Sequence, residues 1–149
     1  MRIYLGADHN GFEMKRRVAE FLRRTGHEVV DEGDKVLNPE DDFPQFAGRV
    51  VSGLLADKDN NQARGILICS SGQGMCMAAN RFKGIRASLC WNLAEARAAR
   101  NDDDSNVLCI SARYSSYEDI EGIITTWLNT PFAGAARFKR RIAELDRLG

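Results

Sequence analysis

Histidine is scarce in this chain. His9 and His27 are the only two in 149 residues, too few for a histidine-rich metal centre. No apolar run approaches the roughly 20 residues that cross a bilayer, so a membrane partner is not expected. The opening "MRIYLGAD" reads as a strand and lacks the h-region and cleavage site of a signal peptide. An excess of charge of one sign is also missing: Lys+Arg and Asp+Glu number 21 each. No global field therefore favours nucleic acid or a membrane surface. The four cysteines (Cys69, Cys76, Cys90 and Cys109) include no C-x-x-C pair. That scatter suits reduced thiols in a cytoplasmic protein better than a disulfide frame or a zinc site. Neither a metal nor a cofactor is expected. No linker, repeat or low-complexity stretch interrupts residues 1–149, and about 100–200 residues make one domain.

What is present alternates. "RIYLGAD", "HEVVDEG", "ARGILICS", "IRASLCW" and "NVLCISAR" read as strands. Between them lie helical patterns: Gly11 to Arg24, "QFAGRVVSGLLAD" with Pro44 in its first turn, "GMCMAANRF" and "NLAEARAARN". "YEDIEGIITTWLN" and a last helix from about Ala135 to Leu148 follow strand five. Apolar strands alternating with helices indicate a parallel sheet covered on both faces. In such sheets, sites form beyond the carboxyl ends of the strands. That rule selects Gly6–Gly11, Cys69–Gly74, Trp91–Asn92 and Ser111–Arg113.

The sharpest of these is Cys69-Ser70-Ser71-Gly72-Gln73-Gly74. It is not a dinucleotide fingerprint: Met77 stands where the third glycine belongs, and the loop follows strand three instead of strand one. It is not a Walker loop either, since no Gly-Lys-Ser/Thr occurs. Gly72 and Gly74 permit tight backbone turns. The free N–H groups behind them suit phosphate or a developing oxyanion. Alone, a small-residue β–α turn is the better reading. Likewise Asp8 could cap a helix, His9 could be a surface residue, and Arg137 and Arg141 could be a solvated face. Their joint placement on one predicted rim and one helix face favours a site.

"GADHNGFEMK", "DDFPQFA", "GILICSSGQGMCMAANRFKGIRASLC", "SNVLCISAR" and "TPFAGAARFKRRI" resemble, in order, the type B ribose-5-phosphate and galactose-6-phosphate isomerases. The resemblance implies a three-layer α/β/α sandwich, Rossmann-like, with a five-stranded parallel sheet and a C-terminal helix. It implies aldose–ketose isomerisation of a sugar phosphate through a cis-enediolate, without metal. It also implies a homodimer, or a tetramer, with the active site between subunits. Ribose 5-phosphate is the leading substrate; allose or galactose 6-phosphate is the alternative, as is a non-catalytic sugar-phosphate binder.

The same resemblance assigns roles. Cys69 matches the base of one subgroup, because Met75 occupies the position of the glutamate used by the other. Ser71 matches a loop hydroxyl near the sugar, and Ser70, Gly72 and Gly74 line the same loop. Asp8 matches a residue that bonds sugar hydroxyls. His9, Arg113, Arg137 and Arg141 match phosphate-contacting positions. A thiol near a helix N-terminus or a cation is expected to fall toward neutral pH. Apolar Trp127 and Phe132 are expected at a subunit contact. The chain also departs from the pattern. Asp102 replaces the family's ring-opening histidine, and Asp103 replaces a neighbouring asparagine. Phe43 replaces a tyrosine, and Phe138 a histidine.

Overall fold

Every residue from 1 to 149 is described by the structure, a computed structural model. The five strands are β1 (Arg2–Ala7), β2 (Glu28–Asp31), β3 (Arg64–Cys69), β4 (Ala87–Leu89) and β5 (Val107–Ser111). They form one parallel sheet in the order β2-β1-β3-β5-β4. The helices are α1 (Phe12–Arg24), α2 (Phe43–Ala56), α3 (Gln73–Ala79), α4 (Leu93–Asn101), α5 (Tyr117–Asn129) and α6 (Ala136–Leu145).

Each face of the sheet buries one apolar cluster. On one side Ile3, Leu5, Ile66, Ile68, Leu108 and Ile110 pack with side chains of α1, α4 and α5. On the other, Leu67, Cys69, Val107 and Cys109 pack with α2 and α3. Alternate residues of β3 and β5 serve opposite faces, as the two-residue period of a strand requires. This is the expected three-layer sandwich. Trp127 belongs wholly to the first cluster, with no exposed surface. It donates its indole N–H to Ser105 Oγ at 2.8 Å. The expectation that Trp127 lies at a subunit contact is therefore wrong; its ring fills the gap between α5 and the sheet.

The ends of the elements follow local chemistry. Gly26 adopts φ 91° after α1. Its N–H bonds to Arg23 O, and that of His27 to Leu22 O, the paired closure of a Schellman turn. Asn92 and Ser116 cap α4 and α5 through their side-chain oxygens. Three elements are shorter than the periodicity predicts. Helix α3 stops at Ala79 because Asn80 turns its amide onto strand β4. Its Nδ2 donates to Ala87 O and its Oδ1 accepts from Ala87 N, both at 2.9 Å. Strand β4 keeps three residues because it is an edge, paired only with β5. The last helix stops at Leu145 instead of Leu148, and none of its residues is buried.

Lys15 is the one cation sealed inside α1, with 2% of its side chain exposed. It donates to both oxygens of Asp31, at 2.9 and 2.8 Å, and to Asp34 O at 3.0 Å. Such pairing is what makes a buried ammonium tolerable, and it ties the outer strand β2 to the layer of α1.

Candidate active site

The helices that cross the sheet change sides between β1 and β3, so the crevice of a doubly wound sheet opens at the carboxyl ends of those strands. Registers Ala7 with Ile68 and Cys69 with Ser111 bring the ends of β1, β3 and β5 level. Cys69 closes β3, nearly buried at 5% exposure. Its carbonyl accepts from Ala112 N at 2.9 Å. The next carbonyl, of Ser70, accepts from Ser111 Oγ at 2.8 Å and Arg113 N at 3.0 Å. The loop is thus bolted to the end of β5, and Arg113 starts from a fixed backbone with its side chain exposed beside Tyr114.

Gly72 is required here. Its φ is 77°, and a Cβ would stand 2.6 Å from Leu89 Cδ1 and 3.0 Å from the Ile110 carbonyl carbon. Gly74 is required for a different reason, since a Cβ there would meet the Phe43 ring at 2.7 Å. The tip of the Phe43 ring closes against the loop at Gly74. Behind it, backbone N–H groups of Met75, Gly72 and Ser71 face the Cys69 sulfur.

Asp8 and His9 join this upper rim from β1. Asp8 is buried and accepts from Asn10 N at 3.0 Å and Gly11 N at 3.2 Å. Burial pushes its carboxyl up, against the pull of those amides and of His9. His9 Nδ1 lies 2.7 Å from Asp41 Oδ1, which also accepts from His9 N at 2.9 Å. That hydrogen bond raises the imidazole, favouring its cationic form. Asp8, His9 and Asp41 bring ligand atoms within 4.8 Å of one another. The oxygen of Asp41 is already bonded to His9, so the trio works as an electrostatic brace that orients the imidazole.

The remaining candidates lie elsewhere. Asp102 and Asp103 follow α4, at the edge where β5 begins. Asn106 N bonds there to Arg86 O, just ahead of β4. Helix α6 runs along the same edge: Ala133 N donates to Asn101 O, and Arg86 lies 3.7 Å from Asp146. Cys69 and Asp102 are thus separated by the length of β5, about 16 Å for five residues. Arg137 and Arg141 are exposed, the first stacked 4.4 Å from the Phe138 ring. Neither they nor Arg113 form an ion pair within the chain. A concavity of about 700 Å³ opens on this lower rim, lined by Arg81, Lys83, Arg86, Asp103 and the C-terminal residues.

The backbone of that rim is held rigidly. Arg100, buried, donates to Asp104 Oδ1 at 2.8 Å and to Ser105 O. Arg86 Nε donates to Asp103 O and Asp104 O, both at 3.1 Å. These bonds support the φ of 48° at Asp104, the single non-glycine residue with positive φ. Of the acidic pair, Asp103 has its carboxyl pushed up. Burial contributes most, then the charge of Asp102, with Arg141 and Arg86 opposing.

Residues 3–145 match the family model described as Ribose/Galactose Isomerase. The chain belongs to that family. Ribose-5-phosphate isomerase B of Mycobacterium tuberculosis is 36% identical over 150 residues, covering 99% of this chain and 91% of that protein. Ribose-5-phosphate isomerase B of Mycoplasma genitalium, solved with bound ribulose-5-phosphate, superposes with TM-score 0.92 at 36% identity, covering 98% of this chain and 94% of that one. The Thermotoga maritima ribose 5-phosphate isomerase gives TM-score 0.92 at 38% identity, covering 99% and 98%.

Within this ribose/galactose isomerase fold one expectation needs correction. The Cys69 thiol is raised, not lowered: burial outweighs the three amides, and Asp8 adds to the effect. Sequence reading also missed Asp41. It lies in a polar loop 32 residues from His9, and nothing local in "NPEDDFP" distinguishes it from Asp42. Its only sequence signal is that an acid in this loop could reach a histidine on the opposing rim.

Proposed function

We propose that this protein interconverts ribose 5-phosphate and ribulose 5-phosphate, with the Cys69 thiolate moving the proton between C2 and C1. The observation that carries the reading is the placement of Cys69. A nearly buried thiol ends β3 at the switch point, beneath a loop whose N–H groups face it. Those amides are suited to the negative charge that develops on an enediolate. Ser71 and Ser70 supply hydroxyls beside the loop, and Asp8 accepts from sugar hydroxyls. His9 and Arg113 add positive charge for the phosphate at the same rim.

Arg137 and Arg141, at i and i+4 of α6, complete the phosphate clamp, and Asp102 exchanges protons with the ring oxygen. Both groups lie too far from Cys69 to act in the same chain. A two-fold homodimer resolves this: the upper rim of one copy meets the lower rim of the other, giving two equal sites. The family resemblance and the unpaired, exposed arginines support this arrangement, with the protein working in the cytoplasm without a metal or cofactor.

The chemistry is tested by incubating pentose and hexose phosphates with the protein in deuterated water and following them by NMR. Ketose formation from ribose 5-phosphate with solvent deuterium at the transferred position is expected. Turnover of a hexose 6-phosphate alone would replace the substrate, and no turnover of any would leave a binder. The shared site is tested separately by mixing Cys69→Ala and Arg141→Ala chains. Random re-pairing should restore about a quarter of parental activity, because half the dimers then hold one intact site. No recovery would rule out sharing.

A further inference from the structure

Ser111 ends β5 without a place in the proposed mechanism. It stands in register with Cys69 and is buried. Val107 and Cys109 of β5 pack on the α2–α3 face of the sheet. The two-residue period of a strand therefore sets Ser111 on the same face as Cys69. Its hydroxyl is fully used: Oγ donates to Ser70 O at 2.8 Å and accepts from Tyr114 N at 2.9 Å. A serine hydroxyl has one proton, so none is left for the Cys69 sulfur. Ser111 can act on the reaction only through the groups it holds.

Those bonds reverse the alternation of β3. Successive carbonyls of a strand point to opposite neighbours. The Ile68 oxygen lies on the β1 side, 2.6 Å from where a Cβ on Gly11 would stand. The Cys69 oxygen turns to β5 and accepts from Ala112 N at 2.9 Å. By alternation the Ser70 oxygen would turn back to β1. Instead it stays with β5, held by Ser111 Oγ and by Arg113 N at 3.0 Å. The Ser70–Ser71 peptide is trans, so its N–H leaves from the opposite edge, away from β5. On that side β3 borders β1, and the crevice opens there. With the alternation kept, the crevice would receive a carbonyl oxygen, which repels a developing anion. With it reversed, the crevice receives the Ser71 N–H, which faces the Cys69 sulfur.

We propose that Ser111 is a positioning residue that, by holding the Ser70 carbonyl, keeps the Ser71 N–H turned toward the proton-transfer centre. The electrostatics agree in sign. An N–H aimed at a thiolate stabilises it, and the Ser71 amide is one of three that oppose the rise caused by burial. The titratable groups facing Cys69 are Asp8, beyond β1, and Cys109 on β5. Helix α2 offers that cluster only apolar side chains, and α3 adds Met75 and, at the margin, Cys76. The Ser111 hydroxyl bonds to none of these side chains. Its bond from Tyr114 N closes the turn after β5. One hydroxyl thus couples the segment that bears Arg113 to the loop that bears the amides.

The effect on turnover rests on the proposed role of Cys69 as base; the orientation of the peptide does not. Ser111→Ala removes the hydroxyl and adds no bulk. Alkylation of Cys69 by iodoacetamide is followed across pH by mass spectrometry of its peptide, alongside isomerisation of ribose 5-phosphate. With one of two donors to Ser70 O gone, the midpoint of Cys69 alkylation should move up by about 0.5–1 pH unit. Turnover near neutrality should drop by about three- to tenfold and recover as the pH passes the new midpoint. Easier entry of the reagent would speed alkylation without moving its midpoint. Ser111→Thr, which keeps the hydroxyl, should keep the parental midpoint. A parental midpoint in Ser111→Ala, or turnover lost in equal proportion at every pH, would overturn the proposal. A raised midpoint in a protein that isomerises no sugar phosphate would leave the role of Ser111 standing and remove Cys69 as the base.

Discussion

The two rims of this sheet are built to different specifications. At the upper rim almost every functional group is held within one chain. Ser70 O is bonded twice, Gly72 is wedged against Leu89 and Ile110, and His9 is braced by Asp41. At the lower rim the backbone is equally firm, yet the side chains of Arg137 and Arg141 project from a helix with no buried residue. One rim is finished on folding. The other presents charges that no ion pair within the chain fixes. Under the proposed function, chemistry that tolerates little displacement belongs to the first, and capture of a mobile dianion, which long arginines can follow, to the second.

The largest effect should come from the finished rim. Cys69→Ala is expected to lower kcat by roughly 10²–10⁴, the range for a positioned acid or base, with little change in substrate affinity. Near-parental turnover would make the upper rim a binding surface only. At the lower rim, Arg137→Ala or Arg141→Ala should weaken ribose 5-phosphate by about 10–100-fold, since a charged hydrogen bond is worth about 1.5–3 kcal/mol. Unphosphorylated ribose should hardly notice. Equal losses on both sugars would erase the division of labour between the rims.

Asp102→Asn tests whether the lower rim also takes part in proton transfer. Turnover of ribose 5-phosphate should fall by less than the roughly 10² of a base in the main step, and Asp102→His should retain or raise activity. Parental rates in Asp102→Asn would restrict this rim to phosphate. The smallest effect is one of shape. In the proposed mechanism Cys69 acts as the thiolate, and burial raises its pKa. Activity should therefore climb with pH through neutrality, by up to about tenfold per unit while the thiol stays mostly protonated. A profile flat from pH 6 to 8 would mean that the assembled site lowers the thiol, as the single chain does not.

The same contrast explains what the sequence discloses. The upper rim is legible because a β–α turn is a local object: Cys69 to Gly74 are contiguous, and the apolar period of β3 announces where the turn falls. Asp41 is illegible because a 32-residue separation and one carboxylate among several decide its role. At the lower rim the arginine spacing is visible, but Arg86 and Arg100 read as ordinary surface charges until folding delivers them to Asp103, Asp104 and Ser105. Trp127 is ambiguous in the sequence for a related reason. An aromatic on a helix looks the same whether its face meets the sheet or a partner, and only its indole N–H reaching Ser105 distinguishes them.

The bolting of residues 103 to 105 by Arg86 and Arg100 has a bearing on descent as well as on shape. The guanidinium groups grip carbonyl oxygens and the Asp104 carboxylate, and the Asp102 and Asp103 side chains take no part in that grip. Backbone carbonyls are the same whichever residues carry them. Positions 102 and 103 are therefore interchangeable sockets: histidine, asparagine or aspartate can be exchanged there without unseating the strand that follows. A lineage can thus change the chemistry these two positions present in single substitutions, and a protein engineer can randomise both while Arg86, Arg100 and Asp104 keep the frame in place.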